Sequence, residues 1–316
     1  LNAVENLFRQ TEAAMKKRIG TTVRAEGKIN LYLDVLSRAE NGYHTIESVM
    51  QSVSLSDRVT VSAMRGDSSD IRISCNLPYI PCDGRNIAYK AARALLDEAG
   101  ISAAVRISLD KRIPVAGGMA GGSADAAAVL TATNRVFGNP LSPAKVQALA
   151  ARLGADVPFC MAGGTALCTG VGDVTSPLEN RLSLPLLIVP SRDSVSTPLA
   201  YAALDSAYGG FAAPRASDAR LGRLTAALAA GDTDGVCGNL YNIFEEVILP
   251  HRPLAAKAKQ LLLGSGALAA MMSGSGPTVF GIFADTAARD AAARLLTRHG
   301  YRPKCADFTN GKSKNN

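Results

Sequence analysis

Tryptophan is absent from this 316-residue chain, histidine occurs three times, and the six cysteines (Cys75, Cys82, Cys160, Cys168, Cys237 and Cys305) include no Cys-x-x-Cys pair. Ligands this sparse and scattered argue against a structural zinc site, and they fit reduced thiols in a cytoplasmic protein. Long apolar runs are lacking too. No window approaches the roughly 18 uninterrupted apolar residues of a membrane span, and the first residues show no basic stretch followed by an apolar core, so neither a span nor a secretory leader is expected. Dense basic patches are also missing. The formal charge of +7 is spread along the chain, which suits an anionic small substrate as well as it suits a merely solvated surface, and argues against nucleic acid. What is present is 47% hydrophobic and 19% charged residues, the composition of a globular protein long enough for two domains of about 150 residues each.

The densest local signal is the stretch Ile113-Pro-Val-Ala-Gly-Gly-Met-Ala-Gly-Gly-Ser-Ala-Asp-Ala-Ala127. Two glycine pairs bracket Met119 and Ala120, and Ser123 opens an alanine-rich run, so a loop feeding a helix from about Ser123 to Val136 is expected. Glycine lets backbone N–H groups turn toward a ligand, and a helix start adds unpaired donors and a positive dipole end. The pattern therefore reads as a phosphate cradle; a flexible turn before a buried helix is the plainer reading. It is neither of two common nucleotide motifs. Gly-x-x-x-x-Gly-Lys-[Ser/Thr] is absent because no lysine follows Gly122, and Gly-x-Gly-x-x-Gly does not occur here.

Earlier in the chain, residues 1–20 read as an extension outside the core. Thr22–Val35 reads as a strand in which Ile29, Leu31, Leu33 and Val35 alternate with Lys28, Asn30, Tyr32 and Asp34. One face is expected in the core, and the other carries Lys28 and Asn30 side by side on a rigid mount. Asn41-Gly42 signals a turn that presents Tyr43 and His44 before a second strand, Thr45–Leu55. Such a pair suits stacking on a base and bonding its edge, against the plainer reading of ordinary polar residues. Short strands are expected near 58–64, 71–74 and 105–109, with a helix from Asn86 whose apolar face is Ala88, Ala91, Ala92, Leu95 and Leu96. Lys111 then enters at the glycine loop, either to meet a nucleotide or to face solvent. Ser142-Pro143 marks a helix start. The abrupt turn after it sets Asp156 among small and apolar residues, where an acid is costly unless paired or used, although a simple capping role competes.

A junction is expected over 173–184. Beyond it come a buried strand at 184–189, a helix from Ser196-Thr-Pro198 to Leu204, a variable loop at 206–218, and a short helix led by Gly238–Glu246. A Gly-Ser turn at 272–277 then feeds a strand at 278–282, the last helix spans 287–299, and the tail from Asn310 is expected to fray. Alternating helices and short strands suggest an α+β architecture. A glycine cradle, a strand-mounted lysine and a boxed-in aspartate suit phosphoryl transfer, which needs alignment, charge neutralisation and proton removal from the attacking hydroxyl.

Six segments resemble the GHMP kinase superfamily, in its order, and within it the branch that acts on 4-diphosphocytidyl-2-C-methyl-D-erythritol. They are Ala25–Leu33, Gly42-Tyr-His44, the loop 113–127, Leu153–Phe159, Gly238–Asn242 and Met272–Pro277. Gly-Tyr-His after the Lys-x-Asn strand is the most specific, since it separates this branch from homoserine, galactose and mevalonate kinases; a homoserine or sugar kinase is the nearest alternative, and an RNA-binding S5-like protein a distant one.

The resemblance implies an α+β, two-domain GHMP kinase fold. Residues 1–181 would form a ribosomal protein S5 domain 2-like N-terminal domain, and 182–316 a ferredoxin-like C-terminal domain. It further implies ATP as co-substrate with Mg2+, a small cytidine diphosphate substrate, no nucleic-acid or membrane partner, and a monomer or homodimer. By likeness, Lys28 and Asp156 are the catalytic pair, and Asn30, Tyr43, His44, Gly274 and Ser275 hold the substrate. ATP would lie against Asn86, Lys111, Pro114, Val115, Ala116, Gly117, Gly118, Met119, Ala120, Gly121, Gly122, Ser123 and Ala124. Ser123 is a side-chain candidate for the metal, with Asp125 left open, and the metal is otherwise carried mainly by the phosphates. The loop departs from the common family form at Ala120, Ala124 and Asp125, where many members have Gly, Ser and Asn.

Overall fold

The computed structural model describes residues 19–40, 42–193, 195–211 and 215–311. Residues 1–18 of the expected extension, Asn41 of the expected turn and the end of the expected frayed tail lie outside them. The described chain divides into two compact units. One comprises the described residues through Ala25, Asp57–Arg112 and Gly122–Met161; the other comprises Glu26–Ser56, Ile113–Gly121 and the described residues from Ala162 onward.

Two long strands, β1 (Ile19–Arg38) and β2 (His44–Arg65), contribute to both units. Ile19 and Gly20, expected in the extension, therefore begin β1. The break expected between 55 and 58 in the second strand does not exist. Asp57 sits inside β2 because its carboxylate has buried partners, described below, and need not leave the sheet.

In the first unit the C-terminal half of β2 pairs antiparallel with β4 (Ala103–Asp110), which pairs parallel with β3 (Asp70–Cys75). Asn86 caps helix α1 (Ile87–Ala99), and the five residues expected on its apolar face are its five buried ones. Helix α2 (Gly121–Val136) is buried nearly all round, from Ala124 to Leu130 without a break, as suits a central helix whose alanines let neighbours approach closely. Helix α3 (Pro143–Leu153) starts as expected, with Ser142 Oγ accepting from the Lys145 amide and Pro143 in its first turn. A short helix, α4 (Asp156–Ala162), follows.

In the second unit the N-terminal half of β2 pairs with β5 (Thr165–Thr169), and β5 with β6 (Val174–Pro177). A separate four-stranded antiparallel sheet contains β7 (Pro185–Val189), β9 (Ala269–Met272), β10 (Val279–Ile282) and β11 (Lys304–Asp307), in the order β11-β7-β10-β9. Numbered within the sheet, that order is 4-1-3-2, and helices connect the first strand to the second and the third to the fourth. This is the split βαβ, ferredoxin-like topology. The connecting helices include α5 (Thr197–Ala207), α6 (Ala219–Ala230), α7 (Thr233–Gly238), α8 (Phe244–Ile248) and α9 (Pro253–Gly264), with α10 (Thr286–Arg298) on the second crossover. A two-residue strand, β8 (Tyr241–Asn242), pairs parallel with β1.

Candidate active site

Both faces of β1 are buried, which corrects the expectation of one core face. Ile29, Leu31 and Val35 are inaccessible, but so is Tyr32, and Lys28, Asn30 and Asp34 are only 4%, 1% and 1% exposed. The Lys28 end of the polar row survives because its groups bond one another, whereas Tyr32 Oη and one Asp34 carboxylate oxygen are buried with no hydrogen-bond partner among the described residues. Lys28 Nζ donates to Asn30 Oδ1 at 2.8 Å, Asn30 Nδ2 donates to Ser48 Oγ at 2.7 Å, and Ser48 donates to the Tyr32 carbonyl at 2.8 Å. Lys28 thus places a buried ammonium against a neutral amide, and among the described residues no carboxylate pairs with it. Further along the row Asp34 does find a cation, Arg215, at 2.7 Å. Burial still raises the Asp34 carboxyl above its ordinary value.

The glycine loop is tied into the same unit by its backbone. The Lys28 amide donates to the Met119 carbonyl at 3.2 Å, and Ser273 Oγ donates to the Gly118 carbonyl at 2.9 Å. Asn242 steadies the opposing turn: its Nδ2 donates to the carbonyls of Met272 and Gly274, and its Oδ1 accepts from the Phe244 amide. Met119 is 1% exposed and Val115 41%, so Met119 anchors the loop while Val115 stands outward. Ser275 Oγ lies 3.1 Å from Thr197 Oγ1. Ala116 and Ala120 adopt φ of 52° and 55°, a left-handed conformation that costs a residue with a Cβ about 1–2 kcal/mol. At Ala120 this is where the common family form has glycine.

Gly118 has φ of 75°, and a Cβ there would fall 2.0 Å from the Ser273 carbonyl oxygen. Gly118→Ala is therefore expected to lower unfolding free energy by roughly 2 kcal/mol or more. Gly122→Ala is the control, because its Cβ would meet only an Ile87 methyl at 3.7 Å. Equal urea midpoints for the two variants would refute the tight junction.

Tyr43 is 65% exposed, while its neighbour His44 is 9% exposed. The His44 ring stacks on Tyr201 with centroids 4.7 Å apart and meets the Phe211 ring edge-on at 5.6 Å. Its Nε2 lies 2.7 Å from Asp205 Oδ1.

In the first unit, Lys111 does not face solvent, the plainer of the two expectations for it. Lys111 is 8% exposed, and its Nζ is clasped by Asp57 and by Asp125, the latter at 2.5 Å. Burial works against the ammonium, but the two carboxylates outweigh it and raise Lys111 above its ordinary value. Burial also pushes the Asp125 carboxyl up to about 7, with Lys111 opposing and Asp57 adding to the rise. Asp125 thus faces a buried lysine. Asn86 spends its side chain on capping, accepting from the Ala88 amide and donating to the Pro81 carbonyl. Ala124 is 1% exposed and Ser123 half-buried in the first turn of α2. Asp156 opens α4 half-buried, and no other described side chain or amide bonds its carboxylate.

Sequence reasoning did not find Asp57, Asp205, Asn242 or Ser273 as supports. Asp57 carried a faint signal as an acid inside an apolar-alternating run; Asp205 carried none.

The sequence model of the GHMP kinases N terminal domain matches residues 86–164, and that of the GHMP kinases C terminal matches 224–302. The 4-diphosphocytidyl-2-C-methyl-D-erythritol kinase of Synechococcus sp. (strain JA-2-3B'a(2-13)) is 44% identical over 265 residues, covering 83% of this chain and 84% of its own. The chain belongs to this kinase family. A crystal structure of a 4-(cytidine 5'-diphospho)-2C-methyl-D-erythritol kinase superposes with a TM-score of 0.76 at 32% identity, over 93% of this chain and all of that one. Homoserine kinase from Cytophaga hutchinsonii superposes with a TM-score of 0.71 at 20% identity, over 95% of this chain and 96% of its own, and shares the fold. The fold is the two-domain, α+β GHMP kinase fold, with an S5 domain 2-like N-terminal part and a ferredoxin-like C-terminal part. The N-terminal match contains Asn86, Lys111, the glycine loop and Asp156, and the C-terminal match contains Asn242 and Ser273–Ser275. Lys28, Tyr43 and His44 precede both.

Proposed function

We propose that this chain transfers the γ-phosphoryl group of ATP to the 2-hydroxyl of 4-diphosphocytidyl-2-C-methyl-D-erythritol, giving the 2-phosphate and ADP on the route to isoprenoid precursors. The observation that carries the reading is Lys28, a 4%-exposed ammonium whose hydrogen-bond partner is a neutral amide. A buried cation without a counter-ion is costly, and an incoming anion relieves it. Membership of the family supplies the identity of that anion.

In this mechanism Asp156 accepts the proton of the attacking hydroxyl or orients it, and Lys28 draws charge from the transferring phosphoryl oxygens. Asn30, fixed by Ser48, positions the methylerythritol part, Tyr43 and His44 take the cytosine, and Gly274 and Ser275 close the substrate side. The loop from Pro114 to Ala124 holds the ATP phosphates with backbone N–H groups, so the buried side chains of Met119 and Ala124 are no obstacle. Lys111 and Asn86 serve the nucleotide through the helices they support, one by fixing Asp125 in α2 and the other by capping α1.

Among the described residues no cluster of three or more metal-ligating side chains occurs. Magnesium carried mainly by phosphates would need one or two protein oxygens; Ser123 would offer one, while Asp125 is engaged with Lys111. Magnesium bound there would neutralise phosphate charge. The division of labour follows residues 1–181 for ATP and catalysis and 182–316 for the ferredoxin-like part.

The test is ADP release by the purified chain with ATP and magnesium. Turnover is expected with the cytidyl substrate and not with homoserine, galactose or mevalonate. Turnover of one of those three and none of the cytidyl substrate would overturn the reading.

A further inference from the structure

His44 is held from three sides, and the third support is an acid that no part of the proposed mechanism uses. Tyr201 and Asp205 both project from α5, one helical turn apart. Tyr201 stacks on the imidazole with an interplanar angle of 23°, Phe211 meets it at 79°, and Asp205 Oδ1 lies 2.7 Å from Nε2. The other Asp205 oxygen lies 3.3 Å from Arg38 Nη1. Arg38 ends β1 and so completes the clasp from a second element. The His44 side chain is 7% exposed, and that of Asp205 21%. All these residues belong to one compact unit.

We propose that Asp205 is a positioning residue that sets pyrimidine selectivity by holding the His44 ring in one orientation and one tautomer. The proposal rests on the reading that Tyr43 and His44 receive the cytosine. A carboxylate only accepts, so the nitrogen facing it carries the proton, and the Arg38 guanidinium holds the far oxygen in place. In the neutral ring Nδ1 is then the acceptor. Cytosine presents an exocyclic amino donor at the position where uracil presents a carbonyl acceptor. An acceptor held rigidly at this edge pairs with the first and repels the second, and a site built to bond one partner rejects the analogue that cannot answer it. Without Asp205 the ring is free to exchange tautomers, so that Nδ1 accepts from cytosine in one and Nδ1–H donates to the uracil carbonyl in the other, and either base is tolerated.

The experiment compares the wild-type chain with Asp205→Ala, Asp205→Asn and Asp205→Glu, using the cytidyl substrate and its uridyl counterpart. Asp205→Ala is expected to raise KM for the cytidyl substrate about tenfold, with KM for ATP and kcat within about threefold. The preference for cytidyl over uridyl should shrink in Asp205→Ala and Asp205→Asn and return in part in Asp205→Glu. The asparagine variant keeps the shape, so it reports even if alanine at this position fails to fold. A preference unchanged in both, or an equal rise in KM for substrate and ATP, overturns the role of Asp205 while leaving the proposed reaction intact. A wild-type chain that turns over neither substrate overturns the reaction and this inference with it.

Discussion

Asp156→Ala is expected to lower turnover of the cytidyl substrate by at least ~10²-fold, the usual scale for a positioned acid-base group, while the thermal midpoint moves little. The two halves of that expectation come from one observation. Asp156 stands in the first turn of α4, half-buried, and its carboxylate is bonded by no other described residue. Removing it strands no donor, so the structural loss is limited to its favourable place at a helix start, about 0.3–1 kcal/mol. Had Asp156 been a capping residue, as a plain reading of the turn allows, an amide two or three positions on would bond its oxygen and the substitution would cost more in stability. The capping residues of this chain do bond in that way: Ser142, Ser196 and Asp285 each accept from the amide three residues ahead. Asp156→Asn sharpens the test, since it keeps the shape and removes the basicity. A wild-type kcat in either variant would take Asp156 out of the mechanism, and a fall in kcat with a matching fall in stability would return it to a structural role.

Legibility followed distance along the chain. Helix α1 and its apolar face, the Ser142-Pro143 start of α3 and the loop running into α2 depend on residues within four or five positions of one another, and the sequence displays them directly. The pairing of Lys28 with Asn30 on one side of β1 was legible for the same reason. The burial of that side was not, because alternation of polarity distinguishes two chemistries and cannot tell a solvated polar face from a self-satisfied buried one. Asp57 and Lys111 meet across 54 positions, and His44 and Asp205 across 161. Nothing local marks either pair. The strand β11 was missed because Lys304–Asp307 is short and lies at the edge of its sheet, where neighbours across the sheet decide what propensity leaves open.

Lys111 carries the largest expected effect on stability. Lys111→Met is expected to destabilise the chain by about 3–5 kcal/mol, the penalty for removing one member of a buried ion cluster. The lysine, Asp57 and Asp125 side chains are 5%, 0% and 5% exposed, so water cannot replace the lost ammonium. Two carboxylates are then left facing one another, and one must stay protonated. Adding Asp125→Asn to Lys111→Met removes the second acid facing Asp57 and should recover part of the loss, a coupling that two independent sites would not show. The same cluster makes the wild-type chain pH-sensitive. Asp125 has its folded value pushed up to about 7 from an ordinary 3.8, so between these limits the folded chain keeps a proton that the unfolded chain releases. Stability from this group is full below about 3.8, falls as pH rises toward 7, and is level above. Asp125→Asn should flatten that slope. Urea midpoints measured at pH 5 and pH 7.5 read both effects, and a Lys111→Met midpoint equal to wild type at either pH would mean that Lys111 is not the cation holding the two acids.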